Sequence, residues 1–222
     1  MFTRKFFIGC FLLLGSAFAF DVKVDNLASC KASLVEYIHS GAYSKDIEKK
    51  AKTALTYLQQ ELALAEVNNL AVVFDIDETL LSNTTALEKY SFGGDEVVFD
   101  QITQAADATP IHPVINIYNW AKQHQMAVYL VTGRSELFEQ ATISNLNKAG
   151  IKNWDGLYFW PHNSKLNVQE FKSAMRKKIQ TEGKVVVLNI GDQHSDLLGG
   201  NAQKSVKLPN PFYIIPSIKT RG

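Results

Sequence analysis

The spacing of apolar residues changes sharply at Leu70. Upstream, over residues 27–67, they recur at helical intervals. Leu34, Tyr37, Ile38 and Tyr43 mark one segment, and Ile47, Ala51, Ala54, Leu55, Leu58, Leu62 and Leu64 mark an amphipathic second, with Gly41 as the break. From Leu70 the run LAVVFD is continuous and does not alternate, which predicts a strand covered on both faces. Similar runs follow at 126–132 (MAVYLVT), 156–160 (GLYFW) and 184–192 (KVVVLNIGD), with a shorter fifth at 205–209 (SVKLP). Helical patterns separate them: Val114 to His124, Glu136 to Ala149 closed by Gly150, and Val168 to Gln180 closed by Gly183. Strand and helix alternate, so the pattern predicts an α/β, Rossmann-like fold: a mostly parallel sheet with helices on both faces and right-handed crossovers. Residues 80–112 are too long for one crossover. They predict a small, mainly helical cap, formed with the helices of 27–67, that covers a site rather than performing its chemistry.

Composition narrows the class. The 222 residues are 46% hydrophobic and 20% charged, as in a globular protein with a substantial core. A net charge of +1 gives no electrostatic footprint for a nucleic acid polymer or an anionic membrane. The first residues stand apart: Arg4 and Lys5 precede the apolar stretch FFIGCFLLLGS, and Ala17-Phe18-Ala19 places small residues where a signal peptidase reads. This predicts a secretory signal over 1–19, cleaved after Ala19, and a single domain over 20–222. The run is shorter than the ~20 residues a membrane span needs, so a secreted or periplasmic product without stable membrane association is expected. Cys10 leaves with the signal, and Cys30 is then alone, expected to pack as a small hydrophobe.

Candidate chemistry follows from what stands after each strand, because ligands of open α/β sheets bind outside the carboxyl ends of the strands. Asp75, Asp77 and Thr79 follow the first, Thr132, Gly133 and Arg134 the second, and Gly191, Asp192 and Asp196 the one ending at residue 192. Carboxylates gathered this closely repel one another unless a cation compensates them. Oxygen ligands without a His or Cys cluster point to Mg²⁺ rather than Zn²⁺. A calcium-binding loop beginning at Asp75 fails, since its sixth position is Leu80 and its twelfth Ala86. The Thr132-Gly133 turn, with its hydroxyl and backbone N–H groups before a helix, suits a tetrahedral oxyanion. Metal, carboxylates and anion cradle together suggest phosphoryl transfer.

The stretches DIDETLLSN, LVTGR, FKSAMRKKI, NIGDQHSDLLG and KLPNPFYIIP, in this order, resemble the secreted acid phosphatases of the haloacid dehalogenase (HAD) superfamily. The likeness is to the branch shared by plant vegetative storage protein-like phosphatases and bacterial class B and C acid phosphatases, from about residue 70 to 216 and more loosely back to 27. It implies a HAD-like core and a role for each matching position. Asp75 would be the nucleophile that forms an aspartyl-phosphate, and Asp77 the acid and base for leaving group and water. Thr132 and Gly133 would hold phosphoryl oxygens, and Lys172 would set its charge against Asp75 and the phosphate. Mg²⁺ would be held by Asp75, the Asp77 carbonyl and Asp192, with Asp196 behind them. Lys165 is an alternative site lysine, and FKSAMR favours Lys172. Arg134 is expected to tie the turn down or to pair with an acid, and His194 to border the site.

Two other readings stay open. One is a nucleotide-selective 5′-nucleotidase or phosphotransferase whose cap aromatics Tyr90, Phe92 and Phe99 stack a base; the other is a non-catalytic storage or binding protein on the same fold. His112, Trp160 and His162 are candidates for a leaving-group pocket, Trp120 and Trp154 for packing. A homodimer is compatible with the sequence, and a small phosphate monoester is the expected partner.

Overall fold

The computed structural model describes residues 25–64 and 69–215; the expected signal at 1–19 lies outside them. The chain begins with helices α1 (Leu27–His39) and α2 (Ala42–Leu64), then strand β1 (Leu70–Phe74). The cap segment contributes β2 (Leu81–Ser82), α3 (Thr84–Lys89), α4 (Glu96–Ala105) and β3 (Thr109–Pro110). The core resumes with α5 (His112–Gln123), β4 (Ala127–Ser135), a 3₁₀ turn (Glu136–Phe138), α6 (Glu139–Lys148) and β5 (Gly156–Trp160). It ends with α7 (Val168–Thr181), β6 (Val185–Gly191), the short α8 (His194–Leu197) and β7 (Lys204–Lys207).

All five expected strands form one parallel sheet in the order β5-β4-β1-β6-β7. Alternation hidden in the apolar runs appears once the two faces are separated. Val72 and Phe74 of β1, with Val128 and Leu130 of β4, point into a core shared with α2 and α5. Ala71 and Val73, with Tyr129 and Val131, point to the other face, where Phe171 and Ile179 of α7 cover them. Both faces are dry, which explains why the sequence shows no polar stripe. Between Ala71 and Val72 the pairing with β6 skips one residue of β6, since Ala71 faces Val186 and Val72 faces Leu188.

The chain crosses from β1 to β4 on one side and later returns to β6 on the other. The carboxyl end of β1 is therefore the switch point where an open α/β sheet parts into a crevice. The cap sits over it. Strands β2 and β3 pair antiparallel, Leu81 with Pro110, and Asp95 caps α4 by accepting from the Val98 N–H at 3.1 Å.

Two local expectations are corrected. Strand β4 runs on through Thr132 and Gly133 to Ser135, so these two are not a strand-to-helix turn; the helix that follows opens as a 3₁₀ turn capped by Ser135. Cys30 is exposed rather than packed, because α1 buries no residue; the helix meets the body through the apolar residues Leu34, Tyr37 and Ile38 and through His39, which pairs with Glu88. Among the described residues no helix is long and apolar enough to cross a membrane.

Candidate active site

Asp75 is the first residue beyond β1, and its N–H donates to the Ile190 carbonyl of β6 at 2.9 Å. That bond sets the Asp75 side chain level with the end of β6, where Asp192 follows. Asp196 reaches the same point from α8, and the carboxylates of Asp75, Asp192 and Asp196 offer oxygens that all lie within 4.8 Å of one another. Only Gly191 allows this approach, since a Cβ there would stand 2.4 Å from an Asp196 carboxylate oxygen.

Lys172 comes from the opposite side, on the inward face of α7. Its ammonium donates to Asp75 Oδ1 at 2.5 Å and to Asp196 Oδ1 at 2.6 Å. Burial works against that charge, but Asp196 and Asp75 outweigh it and hold the lysine above its ordinary pKa. Lys165 is exposed on the loop before α7 and does not line the cavity. One turn beyond Lys172, Arg176 donates to the carbonyls of Asp196, Leu198 and Gly200 at 2.5, 2.5 and 2.9 Å, pinning the loop that carries Asp196.

Three buried carboxylates share one ammonium, which leaves two negative charges uncompensated. Burial pushes Asp75 well above the usual carboxylate range, opposed by Lys172 and reinforced by Asp196, Asp192 and Asp77. Burial likewise raises Asp192 to about 7, with Asp196 adding to the shift. The donor set is all carboxylate oxygen, so the cluster fits a hard divalent cation in both charge and chemistry. Both Asp196 oxygens are already engaged, one by Lys172 and the other by the Gln193 N–H at 2.7 Å. Among the described residues, Asp75 Oδ2 and Asp192 Oδ1 hydrogen-bond only to the Thr79 hydroxyl, at 3.1 and 3.4 Å, and are the oxygens available to such an ion.

Asp77 belongs to a separate charge pair. Arg134 grips it with two N–H groups at 2.7 and 2.8 Å, and the Asn83 amide donates to it at 2.7 Å. Burial alone would raise its pKa, yet Arg134 prevails and holds it below the ordinary carboxylate value. Thr132 is fully buried, and its hydroxyl accepts from the Arg134 N–H at 3.0 Å. Gly133, Arg134 and Ser135 line the cavity, and a Cβ on Gly133 would come 3.2 Å from Val168 of α7. His194 is exposed at the start of α8 and lies off the cavity wall.

The cavity in front of the carboxylates has a volume of about 320 Å³. Phe99 and Ile102 of α4, Phe138, Trp160 and Tyr213 supply its apolar wall, so α4 flanks the carboxylates at the end of the sheet. Of the aromatics expected there, Tyr90 and Phe92 are elsewhere: Phe92 stacks on Phe212 at 5.8 Å, and Tyr90 hydrogen-bonds Gln101. His112 borders a different cavity beneath α2, and His162 is exposed. Trp120 and Trp154 pack against the main core.

Comparisons with known proteins identify the family. Residues 16–216 match the family model described as HAD superfamily, subfamily IIIB (Acid phosphatase). The chain belongs to that family of HAD acid phosphatases. It is 31% identical to Acid phosphatase 1 of Solanum lycopersicum over 88% of this chain and 81% of that protein. It is also 31% identical to Vegetative storage protein 1 of Arabidopsis thaliana, over 86% of this chain and 72% of the relative. In fold the phosphatase matches the class C acid phosphatase from Bacillus anthracis, with a TM-score of 0.70, 20% identity and coverage of 85% and 86% of the two chains.

Several residues that shape this phosphatase's site carry no strong signal in the sequence. Glu78 is fully buried, in a left-handed conformation (φ 50°), and accepts from the Tyr213 hydroxyl and the Asn83 N–H. Burial raises it to about 7, and Asp77 adds to the shift. The Asn210 amide donates to Asp192 Oδ2 at 2.7 Å, beside the Gln193 amide at 2.6 Å. Asn210 and Tyr213 thereby tie the C-terminal segment to the site. Arg176 could have been anticipated: it lies four residues after Lys172, on the face that also carries Met175 and Ile179.

Proposed function

We propose that the chain is a secreted, Mg²⁺-dependent acid phosphatase that hydrolyses phosphate monoesters through an aspartyl-phosphate on Asp75. The observation that carries this reading is the Lys172 ammonium set between Asp75 and Asp196 in a carboxylate cluster two positive charges short of balance. A divalent cation held by Asp75, Asp192 and the Asp77 carbonyl would supply positive charge to the phosphoryl group.

In the first half-reaction an Asp75 oxygen bonds to phosphorus as the bond to the ester oxygen breaks, and Asp77 gives that oxygen its proton. In the second, Asp77 takes a proton from water, whose oxygen displaces Asp75 and releases inorganic phosphate. Lys172 keeps Asp75 aimed and offsets the charge of the approaching phosphoryl group, while Gly133 allows the chain to come close. The Arg134 fork makes Asp77 a stronger acid than a free aspartate. Its protonated fraction therefore grows only as pH falls, which favours the acidic working range. The signal expected at residues 1–19 supports export, and with it a role in releasing phosphate from external esters.

Assays of p-nitrophenyl phosphate and a nucleotide panel at pH 5–7, with Mg²⁺ and with chelator, test the reading. Turnover is expected with the metal and not after its thorough removal; activity indifferent to the metal would overturn the mechanism. Similar rates on sugar phosphates and nucleotides would dismiss the nucleotide-selective alternative. An inactive protein with every motif intact would favour the storage reading, which the Arabidopsis relative's name keeps relevant.

The C-terminal segment offers a finer check. Asn210→Ala frees Asp192 Oδ2 from one of its two donors, so the Mg²⁺ concentration for half-maximal thermal stabilisation should rise about tenfold. A midpoint equal to that of the wild type would show that Gln193 alone orients Asp192.

A further inference from the structure

The cavity wall beyond the carboxylates has a charge pattern that the hydrolysis itself does not require. Glu96 and Asp100, on adjacent turns of α4, line it on the cap side, and both are exposed to solvent at its mouth. Phe99 between them stands edge-on to Tyr213, with ring centroids 5.3 Å apart, and Trp160 lines the same cavity. The cations that line the cavity among the described residues are Arg134 and Lys172. Each is engaged by carboxylates, Arg134 by Asp77 and Lys172 by Asp75 and Asp196. A bound divalent ion and Lys172 serve the phosphoryl group, so no lining cation is left over for a second anionic group on the substrate.

We propose that this pocket selects its substrate by the charge of the leaving group: it takes monophosphate esters of cationic, amine-bearing alcohols and discriminates against esters carrying a second phosphate or a carboxylate. The inference rests on the phosphomonoesterase reading above and specifies its substrate class. An alkylammonium or quaternary ammonium group meets negative charge from Glu96 and Asp100, and the aromatic side chains of Phe99, Trp160 and Tyr213, which line the same cavity, attract the same charge. A walled cleft of one sign concentrates ligands of the other and repels its own. A carboxylate or a second phosphate in the same place would lie beside two acids with no partner.

The test uses three aryl phosphates of similar size: phenyl phosphate, 4-(aminomethyl)phenyl phosphate and 4-carboxyphenyl phosphate, assayed for kcat/KM by phosphate release at low ionic strength. Wild-type enzyme should prefer the cationic over the anionic ester by about tenfold or more. In the Glu96→Gln, Asp100→Asn double variant that ratio should fall to about threefold or less. Intrinsic reactivity of the esters cancels in the comparison, since the same substrates meet both proteins. Raising salt to 1 M should compress the wild-type ratio in the same direction, a check that needs no mutation. Hydrolysis of phenyl phosphate with a flat charge series, or with a ratio that the double variant leaves unchanged, overturns the charge selection alone. Failure to hydrolyse phenyl phosphate at all overturns the phosphomonoesterase reading beneath it.

Discussion

Asp75→Asn should hydrolyse p-nitrophenyl phosphate on the order of 10⁴-fold more slowly than the wild type, with most of the loss in kcat. The amide keeps the volume of a fully packed side chain but offers no nucleophilic oxygen to phosphorus. Lys172, Asp192 and Gly133 remain, so binding of inorganic phosphate in the presence of Mg²⁺, read by calorimetry, should persist. The variant should also be better folded without metal at neutral pH than the wild type. Asp75 ionises reluctantly there, because burial raises its pKa and neighbouring carboxylates add to the rise. Turnover within tenfold of the wild type would exclude Asp75 as nucleophile and direct attention to activation of water.

The second large effect is on stability. Without a divalent ion, the folded protein should lose stability as pH rises from about 4 to about 7. Asp192 ionises near 3.8 in an unfolded chain and near 7 in the fold, because burial and Asp196 oppose its charge. Between those values the folded state holds the extra proton, so the contribution is fully present below the unfolded value and is lost as pH passes the folded one. For Asp192 alone that amounts to about 4 kcal/mol, and Glu78, also raised to about 7, shifts stability in the same direction. Asp77 acts oppositely: its pairing with Arg134 stabilises above the unfolded value of 3.8 and is lost below it as the group protonates. Chelator-treated protein should therefore be most stable near pH 4–5. Adding Mg²⁺ should raise Tm strongly at pH 7.5 and little at pH 4.5. A metal-free Tm that is flat or rises across this range, with no response to the ion, would mean that the carboxylate cluster is compensated in some other way.

Both predictions depend on residues read at different levels. The two-faced parallel sheet was written in the apolar runs, since a strand buried on both sides has no reason to alternate. Asp75 and Asp192 were approachable from local context, as polar residues that end a buried strand, whereas Lys172 came from the resemblance carried by FKSAMR. The cap was recognisable as an insertion by its length, although which of its aromatics face the cavity was not. Phe99 does, whereas Phe92 turns to stack on Phe212. The signal in the sequence for Arg176 was its four-residue spacing from Lys172, and helical geometry makes that spacing meaningful only once the inward face is known.

Sequence by itself therefore determined the element order, the strands and the inventory of acids at their ends, because periodicity and residue type are local properties. Only the tertiary structure decided how those acids divide their work. Arg134 takes Asp77 out of the cluster, Lys172 couples Asp75 to Asp196, and Asn210 and Tyr213 come back from the C-terminal segment to hold Asp192 and Glu78. Those pairings join residues as far apart in the chain as Glu78 and Tyr213. No period or motif encodes such a contact. It follows from the register of neighbouring strands, the choice of rotamer and the rule that buried charges must find partners.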